Sequence, residues 1–426
     1  MRTLSGAAER LLESHDRRVL AEVARVFPEC QPLLELARVR SQDSPPLANQ
    51  SREDIMFLEL RRPSGLSSFD DDCWKEVPSV SRELLFHAIE VASELDSLLP
   101  KERSSRHAIL PGDLLELRST YMPWAIPTTD EINYAIRKFD KGRWTDNKTQ
   151  KGKICPFSAA AVAIKFLHNT PISTRKHIRK IIIHEDRQSV AYPQCHAKGF
   201  IPFCLENPLL RVERRLDLWS AVFFDFDYID SVLTRQRNPS YWPATAATWI
   251  TEAMDLFRAG MPKGSFSLVL NGNETAEASS SIFQKLQGDA AWQEAFDMAC
   301  ARNMFPTPSL RQIRTKRFYI REHFPKILRD MTNNKGFFIR CNFDIGSSRD
   351  IEPIIDQNRG CSLPEWEENW VRETRVFDGS RRGSEEDSSQ IDRTRQRFVE
   401  EYIYPAERWR YGDERALRST ICNLIH

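Results

Sequence analysis

One pattern constrains this chain more than any other. Between residues 155 and 345 a helix-like stretch, a short apolar run and a polar turn follow one another three times. The first copy predicts a helix at 156–168, with Pro156 suited to its first turn, and a short helix started by Ser173. An apolar strand at 178–183 follows, then the turn His184-Glu185-Asp186. The second predicts a helix at 245–259 capped by Gly260, a strand at 265–270 and the turn Asn271-Gly272-Asn273. The third has helical signals at 308–331, a strand at 337–343 and the turn Asp344-Ile345-Gly346. A helix between successive strands is the signature of parallel pairing, because parallel neighbours need a long crossover. The expected fold is therefore α/β or α+β: a mixed, partly parallel sheet with flanking helices, plus a helical N-terminal region. The copies differ in spacing and residues, so they are not a solenoid repeat.

The rest of the chain is organised around that core, expected at 105–376. Residues 1–100 read as a helical N-terminal region, with a linker near 41–53 and a helix at 81–99 whose Leu84, Leu85, Ile89, Ala92, Leu95 and Leu99 recur at helical steps. The segment Tyr121-Met-Pro-Trp-Ala-Ile-Pro127 is either a strap over the core or a ligand for another protein. Residues 207–219 read as an amphipathic segment at helical spacing with its acids and bases paired, or as an Arg cluster for phosphate; 279–287 and 289–301 read as a helix pair, and 364–376 as an exposed helix. The polar stretch 377–392 is expected to be a disordered loop, and 393–426 a helical C-terminal extension.

Charge and cysteine usage narrow the function classes. Sixty-one Lys and Arg balance 60 Asp and Glu, which leaves a net charge of +1. The basic excess of a dedicated nucleic-acid-binding domain is absent, so no nucleic-acid partner is expected. The most basic run is 174–180, with Arg187 beyond it; it is a solvated face or an anion patch. Nine cysteines are scattered, odd in number and without C-x-x-C spacing, which points to a reducing cytoplasmic or nuclear setting. No apolar run has the length of a membrane span, and no secretory leader is expected.

Two constellations could carry chemistry. His184, Asp186 and His196 offer a base and an orienting carboxylate where strands end, together with the turn residues Asn271, Asn273, Asn342 and Asp344. Turn chemistry alone also explains Asn, Asp and Gly there. Cys195, His196 and Cys204 offer soft metal donors, in a spacing that matches no standard zinc motif. The phosphate loops, the nucleophile elbow and the H-E-x-x-H motif are absent, and the acidic stretch at 225–230 lacks the Gly and terminal Glu of a calcium loop. The sequence names no cofactor.

The stretch IRKIIIHEDRQSVAYPQCHAKGFIPFCLENPLLRVERRLDLW at 178–219 resembles a large family of uncharacterised filamentous-fungal proteins. The later phrases GMPKGSFSLVLNGN, DAAWQEAFDMA, LRDMTNNKGFFIRCNFDIG and RGCSLPEWEENW are similar to it in the same order, so the resemblance spans roughly 155–370. Some members are F-box-like at the N-terminus; this chain shows no clear Leu-Pro-x-Glu opening ahead of its N-terminal helices. The resemblance implies a fold and a lineage but no activity. The leading expectation is an intracellular protein-interaction or adaptor protein with a protein partner, its oligomeric state left open. The alternatives are an enzyme with a His/Asp site at the sheet edge and a metal-stabilised fold.

Overall fold

A computed structural model describes residues 17–27, 78–94, 116, 122–139, 157–187, 189, 192–223, 241–272, 276–305, 319–321, 323–333 and 337–376. Its centre is a sheet of four strands, β1 (Lys180–Glu185), β2 (Arg211–Asp217), β3 (Phe266–Asn271) and β4 (Ile339–Cys341). The strands lie in the order β1-β2-β3-β4, and every neighbouring pair is parallel. The chain is thus α/β, with a sheet that is parallel throughout. Side chains alternate between the two faces of a strand, and registered partners share a face. Ile183, Arg214, Leu268 and Ile339 fall in one row across the sheet, with Glu185, Leu216, Leu270 and Cys341 in the next. On this face every residue but Ile181 and Cys341, which are half-buried, is buried.

The opposite face is different. It carries Lys180, Ile182 and His184 from β1, Arg211, Glu213, Arg215 and Asp217 from β2, Ser267, Val269 and Asn271 from β3, and Arg340 from β4. Glu213 alone among them is buried. Strand order supplies a reason. A parallel strand reached by a right-handed crossover in a constant direction always puts its connection over the same face. With no reversal of direction, the connecting helices fall on one face, and among the described residues no helix lies over the other.

The described residues fall into two compact units. One holds those before Ser158 together with Ser189–Cys195; the other holds Ser158–Gln188 and those from His196 onward. The sheet unit opens at Ser158, the N-cap of the first helix against β1. In the first unit α1 (Arg17–Val26) packs on α2 (Pro78–Glu94), burying Val23, Leu84, Phe86 and Ala88. Its third helix, α3 (Thr129–Phe139), starts with a capping box. Thr128 N–H and Oγ donate to Glu131 Oε2 at 2.6 and 2.8 Å, and Glu131 N–H returns to Thr128 Oγ at 3.3 Å. In the 121–127 segment Pro123 and Pro127 are buried, Trp124 is half-buried and Met122 is exposed.

In the sheet unit, α4 (Ala159–Asn169) packs on β1 through Ala160, Ala161, Ile164 and Leu167. Two short helices follow, α5 (Ile172–Arg175) and α6 (Ile201–Glu206), joined by the bidentate Arg175–Glu206 pair at 2.7 and 2.6 Å. The basic run at 174–180 therefore has its first arginine engaged. Next, α7 (Tyr241–Arg258) ends as expected: Gly260 has φ +98°, and Met261 N–H reaches back to Leu256 O at 2.9 Å. Beyond it lie α8 (Ala276–Ala301), α9 (Phe324–Asn333), α10 (Glu352–Gln357) and α11 (Leu363–Val376). A second core forms where α8 meets α10 and α11. Trp292 stacks on Trp370 at 6.2 Å and 15° and meets Trp366 edge-on at 5.9 Å, with Phe296 and Phe305 beside them.

Several expectations change. Residues 207–219 hold strand β2, not a helix: Val212 and Leu216 fit both periods, but Arg214 between them shares their face only in a strand. His184 and Glu185 belong to β1 rather than to a turn. Residues 276–301 are one helix running through Gly288. The helix near 364–376 is anchored, since Trp366 and Trp370 are fully buried. Asn273, the 225–230 stretch, the linker near 41–53, the loop at 377–392 and the extension at 393–426 lie outside the described residues.

Candidate functional site

The carboxyl ends of all four strands share one edge, as the crossover pattern requires. Its polar groups are occupied with one another. Asp217 accepts the N–H groups of Trp219 and Ser220, each at 3.0 Å, and so caps the π turn Leu218–Val222; burial pushes its carboxyl up while those donors pull it back. Gly272 N–H donates to Asn342 Oδ1 at 2.8 Å, and the Asn342 amide donates to Asn271 Oδ1. A Cβ on Gly272 would meet Ser279 Oγ at 2.8 Å, so the strand passes α8 too closely for a side chain. Asp344 Oδ1 accepts Gly346 N–H at 2.9 Å, across a glycine at φ +75°. Ligand crevices in open α/β sheets form where strand order reverses. The order β1-β2-β3-β4 contains no such point.

Of the proposed catalytic residues, His184 and Asp186 are exposed neighbours at the end of β1, whereas His196 is buried apart from solvent. His184 is exposed on the uncovered face of β1. Asp186 lies just past the strand and pairs with Arg187 at 2.9 Å, a bond that holds its carboxyl below the usual range. His196 is fully buried, and its Nδ1 lies 2.6 Å from Ser158 Oγ. That serine oxygen also accepts Ala161 N–H at 2.9 Å as the N-cap of α4. His196 therefore braces a helix start.

Cys195 and Cys204 are buried, and burial pushes the Cys204 thiol up to about 11. Among the described residues no group of three His, Cys, Asp or Glu could hold an ion.

The strongest polar constellation is one that the sequence reading missed. Arg214, on the covered face of β2, donates through Nε and a terminal nitrogen to Glu185 Oε1 at 3.0 and 2.5 Å. Glu185 also accepts the N–H groups of Ala159 at 2.9 Å and Ala160 at 3.2 Å, the first turn of α4. The Arg214 guanidinium lies 4.7 Å over the Trp249 ring of α7. Both charges are buried. Burial pushes the Glu185 carboxyl up, but Arg214 and the two helix N–H groups outweigh it and hold the group ionised below its usual range. A fully partnered ion pair ties α4, β1, β2 and α7 together and has no proton to exchange. Its sequence signal was the alternation Val212-Glu213-Arg214-Arg215-Leu216, legible only once that stretch is taken as a strand.

The open face holds the remaining charge. Glu213 lies at its centre, with Lys180 Nζ at 3.0 Å, an Arg215 terminal nitrogen at 2.7 Å and one of Arg340 at 3.6 Å. The bonds to Lys180 and Arg215 hold the Glu213 carboxyl below its usual range. Arg211, on the same face, donates to the carbonyls of Pro208 and Leu210 at 2.7 and 3.0 Å, which do not neutralise it. The face thus sets four cations, Lys180, Arg211, Arg215 and Arg340, against two carboxylates, Glu213 and Asp217. Among the described residues no helix is long and apolar enough to cross a membrane. Comparison with known protein families, curated proteins and solved structures finds no match for the chain.

Proposed function

We propose that this chain is a non-catalytic protein-interaction or adaptor protein, and that the uncovered face of its sheet is the surface that binds. The observation behind this reading is the asymmetry of the sheet. All-parallel sheets are found almost only with helices over both faces, because both sides of such strands are ordinarily buried. Here one face is packed, while the other presents Lys180, Ile182, His184, Arg211 and Arg340 to solvent. A partner would supply the missing layer. The engagement of Asp217, Asn271, Asn342 and Asp344 in caps and turns at the carboxyl edge supports the same reading.

The test is affinity capture with the full tagged chain from the cells that express it, quantified against a tag-only control. A defined partner retained in near-equal amount, and released when Ile182→Asp is introduced on the face, is the expected result. A clean, monodisperse chain that retains nothing above the control sinks the reading.

A further inference from the structure

We infer that the open face takes an acidic amphipathic helix from a partner protein, seated where a second helical layer would lie in a sheet covered on both sides. The inference rests on the interaction reading above and assigns the chemistry of the partner.

Charge sets the sign of the ligand. Lys180, Arg215 and Arg340 come from three different strands and converge on one carboxylate, Glu213. Their side chains remain 51, 42 and 53% exposed, whereas that of Glu213 is 11% exposed. One carboxylate cannot neutralise three cations, and Arg211 adds a fourth that has only carbonyl partners. Carboxylates brought from outside would complete the array with charge-assisted hydrogen bonds. Shape and polarity then set the class. Ile182 is 43% exposed, and Val269, half-buried, lies on the same face. An isolated small anion would leave this apolar surface wet. A helix with one acidic and one apolar stripe would cover it and meet the cations together.

Nucleic acid fits less well. His184 is the single aromatic ring among the residues of this face, so successive bases have no row of rings to stack on. A four-stranded sheet face is also too broad to enter a duplex groove, which admits a helix or a two-stranded ribbon.

The experiment is fluorescence anisotropy with the full chain and a labelled 18-residue peptide carrying Glu on one helical stripe and Leu on the other. Saturable binding is expected, weakened roughly tenfold in moderate salt by screening of the charges. The double variant Lys180→Glu/Arg340→Glu should weaken binding at least tenfold. Lys165→Glu, an exposed cation on α4, should change it less than twofold. The pair Lys180→Gln/Arg340→Gln removes charge without reversal and should fall between the two, with circular dichroism and melting temperature unchanged. Equal losses in the Lys165 variant and the double variant, or tighter binding of a single-stranded oligonucleotide of matched charge, overturn the inference. So does self-association of the chain that the double variant abolishes, because the occupant is then a second copy. If the peptide fails while a partner from extract is still retained, the acidic assignment falls and the interaction reading stands; if nothing is retained either, both fall.

Discussion

Glu185 shows at the scale of one residue how a buried charge becomes structural. It satisfies Arg214 and two amides of α4 at once, and neither charged partner reaches water. Removing one member of such a pair strands the other, which costs far more than the pair contributes when intact. Glu185→Ala should lower stability in urea unfolding by about 3–5 kcal/mol. A second residue is poised the other way. Asp289 on α8 is buried and receives a long hydrogen bond of 3.4 Å from Trp370 Nε1; Arg349 and Lys285 supply the nearby positive charge. Burial wins, and pushes its carboxyl up to about 7. A raised carboxyl means that the folded state holds its proton where the unfolded chain has lost it. Stability is therefore fully present below the unfolded value near 4 and declines as pH rises to about 7. Asp289→Asn should unfold at a higher temperature than the parent at pH 8, by on the order of 4 kcal/mol in stability, with the gap closing near pH 4. A gap that does not vary with pH would sink this account.

At the scale of elements, the same helix shows where sequence reading stops. Gly288 invites a break between 287 and 289, because glycine has poor helix propensity. The structure carries α8 straight through it. Phe283 and Leu286 before the glycine and Trp292 and Phe296 after it are all buried, and that packing overrides a local cost of about 1 kcal/mol. A Cβ at Gly288 would touch the Arg349 guanidinium at 3.7 Å, an ordinary contact. Gly288→Ala should therefore stabilise the chain by about 0.5–1 kcal/mol, measured as a higher urea midpoint with an unchanged slope. Strand β3 was legible because Phe266, Leu268 and Leu270 alternate with partly exposed neighbours. Strand β2 was not. Its covered face is Val212, Arg214 and Leu216, and an arginine in the core row breaks the apolar alternation on which strand recognition depends.

For the whole molecule, the α/β class followed from helix–strand alternation, since parallel strands cannot be joined without long crossovers. The surface put forward for binding did not follow. Which face of a strand is covered depends on register and strand order, and neither is written in any one segment. Lys180, Glu213, Arg215 and Arg340 are spread across 161 positions of the chain and become neighbours only through pairing of β1 with β2 and of β3 with its two flanking strands. Likewise His184 and His196, twelve positions apart, look like one site in sequence. One projects from an open sheet and the other is enclosed beside a helix cap.

The succession β1-β2-β3-β4 also bears on how the chain is made. Each strand leaves the ribosome after the neighbour it will join, so none has to wedge between two already paired. Sheets with reversed order must hold an edge ready for a strand that comes later, and exposed edges and slow long-range pairing invite aggregation in the meantime. This order allows the sheet to grow in one direction as the chain is made and to finish with β4, the shortest of the four strands.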